Sequence, residues 1–240
     1  NRVESDAGTD EDAARVGDME SILGLGAARL GMVRQLRWHY RSRHSSLITF
    51  SNEKFYAGSL RVFPSPQRDC TQMGLQFHFV EGGVYKRGTG RFNEVEARAV
   101  AMAVMDQARR FPDLSLGVGT LNLPQAEAIQ DELETLRRAP ENAAMEPFFD
   151  DQRRERFFVK NLENIQGDER EVMFLSVGFG FDAAHKLTGN FGALNGEGGW
   201  RRLNVFATRA RQRCVIFSSI RCDDIRVETT SPRGVTAARE

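Results

Sequence analysis

The sequence predicts an α/β fold with a mainly parallel sheet covered by helices on both faces. Two observations carry that expectation. The runs "LSLGVGT" (114–120), "VMFLSVGFGF" (172–181) and "RCVIFSSI" (213–220) are apolar along their length rather than alternating, as strands buried on both faces are. Segments with helical periodicity stand between them, and strand–helix alternation is the arrangement of parallel sheets.

In chain order, residues 1–20 carry seven acids against two arginines and read as a flexible acidic lead-in. A short helix is expected over 18–30. "QLRWHYRSR" (35–43) mixes aromatic and basic residues, and "SSLITFSNEKFYAG" (45–58) reads as a helix with Gly58 at its C-terminal turn. "PSPQRD" (64–69) is a loop, "LQFHFV" (75–80) an alternating strand and "GGVYKRGTGR" (82–91) a glycine-rich loop.

"NEVEARAVAMAVMDQARR" (93–110) is the clearest helix. Asn93 and Glu96 have the spacing of a capping box, and Arg109 and Arg110 complement the C-terminal dipole. After the strand at 114–120, "PQAEAIQDELETLRR" (124–138) is a helix with Pro124 in its first turn. Residues 139–155 read as a loop or insertion. Two strands at 156–165 and 172–181 flank the polar turn "QGDERE" (166–171), and a loop with seven glycines covers 178–200. In "RRLNVFATRAR" (201–211), Leu203, Phe206, Ala207 and Ala210 make one buried helical face, and Arg202 and Arg209 share a second.

Composition narrows the function classes. With 33 basic and 33 acidic side chains there is no bulk charge signal for nucleic acid, although residues 29–44 hold five arginines and no acid. No run of 18 apolar residues or signal peptide is visible, so neither a membrane span nor secretion is expected. Cys70, Cys214 and Cys222 are odd in number and form no CxxC, which suits a reducing cytoplasm and gives no metal site. The chain opens at Asn1, which suggests a fragment.

No complete catalytic set stands out. GxxxxGK[ST] and GxSxG are absent, and His39 and His44 have no acid or cysteine beside them. Three dispersed stretches remain: "HYRSR" (39–43), "QGDERE" (166–171) and "NVFATRAR" (204–211).

These stretches carry a resemblance. "LRWHYRSRHSSLITFSNEKFYAGSL" (36–60) resembles motif IV of superfamily 1 helicases, "GVGTLNLPQAEAI" (117–129) motif IVa, "VKNLENIQGDEREVMFLS" (159–176) motif V, and "RRLNVFATRAR" motif VI. The order agrees over roughly 36–220, and the nearest group is the Upf-type branch. The match is to the second RecA-like domain alone, because the phosphate loop and Mg²⁺-binding acids of the first are absent. The resemblance therefore implies a RecA-like three-layer sandwich, with an acidic lead-in and linker helix at 1–30, the motor domain at 31–222 and a tail at 223–240.

The family pattern also implies roles. Arg41 and Arg209 would be arginine fingers on the γ-phosphate of ATP, a use suited to the planar guanidinium fork. Tyr40 would stack on the adenine, Glu169 would accept from the ribose or nucleotide edge, Gly167 would let the backbone approach phosphate, and Gln166 would couple ATP state to strand contacts. Thr120, Asn122, Lys160 and Asn161 would contact single-stranded nucleic acid. Phe206 and Asn161 depart from the pattern, standing where a small residue and a threonine are usual. The implied partners are the first RecA-like domain of the same parent protein, which would hold Mg²⁺ with ATP, and a single strand. No membrane partner is implied. Alone, the chain would be an inactive half of an ATP-dependent DNA or RNA helicase. The other reading is a degenerate RecA-like module that binds nucleic acid or protein without an ATPase role.

Overall fold

A computed structural model describes residues 22–31, 33–65, 72–88, 90–187 and 189–239. The chain divides into two compact units, 1–37 and 38–240. In the first, helix α1 (Ile22–Leu30) is the described element; the acidic lead-in at 1–20 and the start of the helix expected over 18–30 lie outside the described residues, as does 66–69 of the loop expected at 64–69.

The second unit opens with two short parallel strands, β1 (Trp38–His39) and β2 (Arg61–Val62), with helix α2 (Ser46–Phe55) between them. Its main sheet has five strands: β3 (Gly74–Phe79), β4 (Leu116–Thr120), β5 (Phe158–Asn161), β6 (Arg170–Ser176) and β7 (Ala210–Ser218). Their order is β3-β7-β6-β4-β5, and every neighbouring pair is parallel.

The apolar strands are explained by two cores, one on each face. In β6, Met173 and Leu175 join a cluster with Leu47 of α2 and with Leu203 and Phe206 of helix α5 (Gly199–Ala207). Val172 and Phe174 join the opposite cluster, with Ala97, Val100 and Val104 of helix α3 (Glu94–Arg110) and Ile129 and Leu133 of helix α4 (Leu123–Arg137). Side chains alternate across a strand, so burial of successive residues needs a cover on each face.

The strands expected at 156–165 and 172–181 are Phe158–Asn161 and Arg170–Ser176, and the structure departs from the sequence reading in four further places. The helix expected over 201–211 ends at Ala207, and β7 begins at Ala210 rather than 213. Thr208 Oγ1 donates to the Asn204 carbonyl at 2.8 Å as the helix closes, and Ala210 is already in register with Arg170. Arg202 and Arg209 therefore share no helical face. Residues 139–155 are not merely a loop: Pro140–Phe149 forms 3₁₀ turns that bury Met145 and Phe148. In the stretch read as a tail, helix α6 (Arg233–Arg239) places Val235 and Ala237 in the first core.

The fourth departure is the capping box. Asn93 accepts from the Glu96 N–H at 3.1 Å, as expected, but Glu96 does not reach back. The Asn93 N–H donates instead to Gln125 Oε1 at 2.8 Å, which ties the starts of α3 and α4 together. The Glu96 carboxyl is fully buried and accepts from Ser176 Oγ at 2.6 Å and from the Gly178 N–H at 2.7 Å, both at the carboxyl end of β6.

Burial pushes the Glu96 carboxyl up from an ordinary 4.5 to about 7, against the opposing pull of those hydrogen bonds. The folded state then binds this proton more tightly than the unfolded chain does. Stability falls as pH rises from 4.5 through about 7, and the cost of ionisation is fully present above that. Glu96→Gln keeps an acceptor for Ser176 and Gly178 and removes the titration. It should flatten this dependence, measured as urea midpoints at acid, neutral and mildly alkaline pH, whereas the wild-type midpoint declines.

Candidate functional site

The amino edge of the sheet gathers three segments that are remote in sequence. β6 and β7 are neighbours in parallel register, so the residues just before them, Glu169 and Arg209, emerge side by side, and the Arg170 N–H donates to the Arg209 carbonyl at 3.2 Å. The segment after β1 is bound alongside, with the Arg43 N–H donating to the Arg211 carbonyl at 2.7 Å. Arg41 is thereby delivered to the same edge.

The contacts there are specific. Arg41 Nε pairs with Glu169 Oε2 at 2.7 Å, and Arg41 Nη1 donates to the Thr208 carbonyl at 3.3 Å. Arg209 Nε donates to the Val205 carbonyl at 2.7 Å, and its Nη2 to Thr208 Oγ1 at 3.0 Å. Both arginines thus satisfy carbonyls at the C-terminus of α5, where the helix dipole favours a cation. Burial first, and the Arg41 charge second, pull the Arg209 guanidinium below its usual range; Glu169 and Asp168 oppose this. Arginine remains a cation through such a shift.

The remaining nucleotide-side residues lie on or next to these segments. Tyr40 precedes Arg41 with its side chain 88% exposed, so its ring is not part of a core. Gln166 and Gly167 are exposed in the turn before Glu169. Gly167 has φ +93° and open space where a Cβ would stand, so backbone conformation, rather than packing, calls for glycine there.

Glu155 and Arg211 went unremarked as site residues in the sequence. Arg211 forms a two-pronged pair with Glu155, at 2.7 and 2.5 Å, and its Nη1 also lies 3.3 Å from Glu169 Oε1. Arg211 holds the Glu155 carboxyl down at about 2. Glu155 stands in a stretch without a motif, and Arg211 becomes a candidate only once 210–218 is seen as β7, which places it beside Glu169 at the start of the strand.

Of the four residues expected to grip a strand, Thr120, Asn122 and Asn161 stand at or near the carboxyl ends of β4 and β5, whereas Lys160 of β5 reaches the cluster through Asp168, whose carbonyl accepts from Arg209 Nη1 at 3.5 Å. Thr120 needs correction as a direct contact. It is fully buried, and its hydroxyl donates to the Asn122 carbonyl at 2.7 Å, so it shapes the loop and cannot reach a phosphate. Asn122 caps α4 by accepting from the Gln125 N–H at 2.8 Å, and its Nδ2 donates to the Arg91 carbonyl at 3.1 Å. Asn161 accepts from the Asn164 N–H at 3.2 Å, and Lys160 pairs with Asp168 at 2.6 Å. These last three are partly exposed. Among the described residues no group of three or more His, Cys, Asp or Glu could hold a metal, and no helix is long and apolar enough to cross a membrane.

A five-stranded parallel sheet with a helix-covered core on each face makes this a three-layer α/β domain, and arginines converge at its amino edge. A family model described as an AAA domain matches residues 25–221; the chain belongs to that family, which is found in superfamily 1 helicases. An uncharacterized ATP-dependent helicase of Mycoplasma genitalium is 32% identical over 216 residues, covering 89% of this chain and 18% of that protein. Its homologue in Mycoplasma pneumoniae is 31% identical over 206 residues, with 85% and 18% covered. The chain thus spans about a fifth of the length of these relatives. The crystal structure of the E. coli DExH-box NTPase HrpB aligns with a TM-score of 0.32 at 12% identity, over 89% of this chain and 31% of that one.

Replacing Thr120 with Val keeps the shape of the side chain and leaves the Asn122 carbonyl without its donor. Thr120→Val should destabilise the fold by about 0.5–1.5 kcal/mol, the net worth of a hydrogen bond to a partly exposed carbonyl, read as a lower urea midpoint.

Proposed function

We propose that this chain is the C-terminal RecA-like motor domain of an ATP-dependent superfamily 1 helicase. In this reading it supplies Arg41 and Arg209 to an ATP site completed by the first RecA-like domain of the same parent protein. The observation that carries it is the convergence of Arg41, Glu169 and Arg209 at one edge of the sheet, from segments separated by up to 167 positions in their contacts.

The chemistry suits this assignment. As a γ-phosphoryl group leaves, negative charge spreads over its oxygens, and a positioned arginine there is worth roughly 10³–10⁵ in rate. Arg209 is anchored through Nε and Nη2 to the end of α5, so little conformational freedom is left for it to lose. Tyr40 offers an exposed aromatic face to the base of ATP, and the turn at Gln166 and Gly167 presents accessible backbone beside Glu169. Mg²⁺ would be held by the first domain.

At the carboxyl edge, Asn122, Lys160 and Asn161 are the residues of this chain that would meet the backbone of single-stranded DNA or RNA. Short polar side chains and lysine make such contacts without reading sequence.

The test uses the parent protein carrying both domains. Arg209→Ala should lower kcat for ATP hydrolysis by about a thousandfold or more, and Arg41→Ala should also lower it, because both remove transition-state charge stabilisation. The isolated 240-residue chain should release no phosphate from ATP above background, with or without single-stranded DNA. Hydrolysis by the isolated chain, or a parent protein indifferent to Arg209→Ala, would overturn the assignment.

A further inference from the structure

Beyond Arg41 and Glu169, the ion pairing at the amino edge continues inward. The Glu169 carboxylate is shared: Oε2 takes Arg41 Nε at 2.7 Å and Oε1 takes Arg211 Nη1 at 3.3 Å. Arg211 is gripped from its other side by both oxygens of Glu155, at 2.7 and 2.5 Å. Glu155 Oε2 also accepts from Ser115 Oγ at 2.5 Å, and that hydroxyl accepts from the Glu171 N–H at 3.0 Å. The series Ser115, Glu155, Arg211, Glu169, Arg41 therefore starts from a buried residue beside β4 and β6 and ends at the partly exposed Arg41.

Arg211 is the least exposed of the four charged members: its side chain is 22% exposed, against 34% for Arg41, 36% for Glu169 and 34% for Glu155. An ion pair as open as Arg41–Glu169 holds its geometry weakly by itself, because solvent screens it and both side chains lose rotamer freedom in forming it. A two-pronged arginine–carboxylate pair adds direction as well as attraction.

We propose that Arg211 and Glu155 are positioning residues for Arg41: they fix the Glu169 carboxylate, and that carboxylate aims the Arg41 guanidinium. The proposal rests on the reading of Arg41 as a phosphate-binding group. Glu169 then has a second task beside any contact with nucleotide. Lysine at 211 keeps the charge but lacks the planar fork that meets Glu155 and Glu169 together.

A role confined to stability would leave Arg41 undisturbed, so the test reads Arg41 itself. In the ¹⁵N-labelled chain, the Arg41 Nε–H should give a separate, slowly exchanging arginine signal, assigned by its loss in Arg41→Lys. Arg211→Lys and Glu155→Gln should each merge that signal with those of exposed arginines. The Arg209 Nε–H, held by the Val205 carbonyl, should stay resolved, and the backbone amide spectrum should report an intact fold. If Arg211→Lys fails to fold, Glu155→Gln alone carries the comparison. An Arg41 signal unchanged in the folded variants overturns the proposal.

In the parent protein, Arg211→Lys should lower kcat about tenfold to a hundredfold, the scale of a misplaced catalytic group, with KM nearly unchanged. If Arg41→Ala leaves hydrolysis intact, the reading of Arg41 as a phosphate-binding group fails while the spectral result still decides the positioning series.

Discussion

The Glu169 carboxylate is what allows guanidinium groups to share one edge of the sheet. Arg41 and Arg211 both pair with it, and Arg209 stands close enough to Arg41 for the charge to lower its proton affinity. Like charges at such range repel. Here the repulsion is offset by Glu169, by Glu155 beyond Arg211, and by the carbonyls at the end of α5. Those carbonyls would otherwise be unsatisfied helix ends. The same contacts therefore terminate a helix, join β6 to β7 and fix cations at the surface, so changing Glu169 would act on all three.

Much of the architecture was legible in the sequence because periodicity and burial are local signals. The run at 114–120 stands as β4 and the first half of the run at 172–181 as part of β6, with cores on both faces, and the helices over 93–110 and 124–138 end within a residue or two of their expected limits. What escaped was set by tertiary partners. Glu96 has the spacing of a capping residue, yet Ser176 and Gly178, some 80 positions away, draw it into the interior. Thr120 has a side chain able to bind phosphate, and its burial is decided by the loop that folds over it. Arg209 was assigned to a helical face that stops two residues earlier. The motif spelling nevertheless pointed to the right neighbours, since Arg41, Glu169 and Arg209 do come together. Glu155 lay in a stretch without a motif, and only its partner across the fold gives it meaning.

The two ends of the sheet are built on different principles. At the amino edge, charge is paired with charge at the surface, in reach of solvent. At the carboxyl edge, neutral groups interlock in the interior: Asn93, Gln125, Ser176 and Ser219 form hydrogen bonds around the buried Glu96. That second network joins the first turns of α3 and α4 to the ends of the central strands, which holds the loop bearing Asn122 in place. Ionic strength weakens exposed pairs and leaves buried hydrogen bonds largely untouched. The two edges thus respond to different solution conditions, although the same strands connect them.

The position of β7 has a consequence for how the chain reaches this state. It is the last strand of the sheet in sequence, yet it is inserted between β3 and β6. Until residues 210–218 are available, β3 has no hydrogen-bonded neighbour in the sheet, and β6 lacks one of its two. During synthesis the earlier segments therefore wait with an unpaired strand carrying Leu75, Phe77 and Phe79, side chains that stay substantially exposed even in the finished sheet. Unpaired apolar strands are the surfaces through which incomplete chains associate. A ribosome that stalls before Ala210 leaves β3 without its sheet neighbour, so the burden of keeping nascent chains apart falls on the interval before β7 is translated.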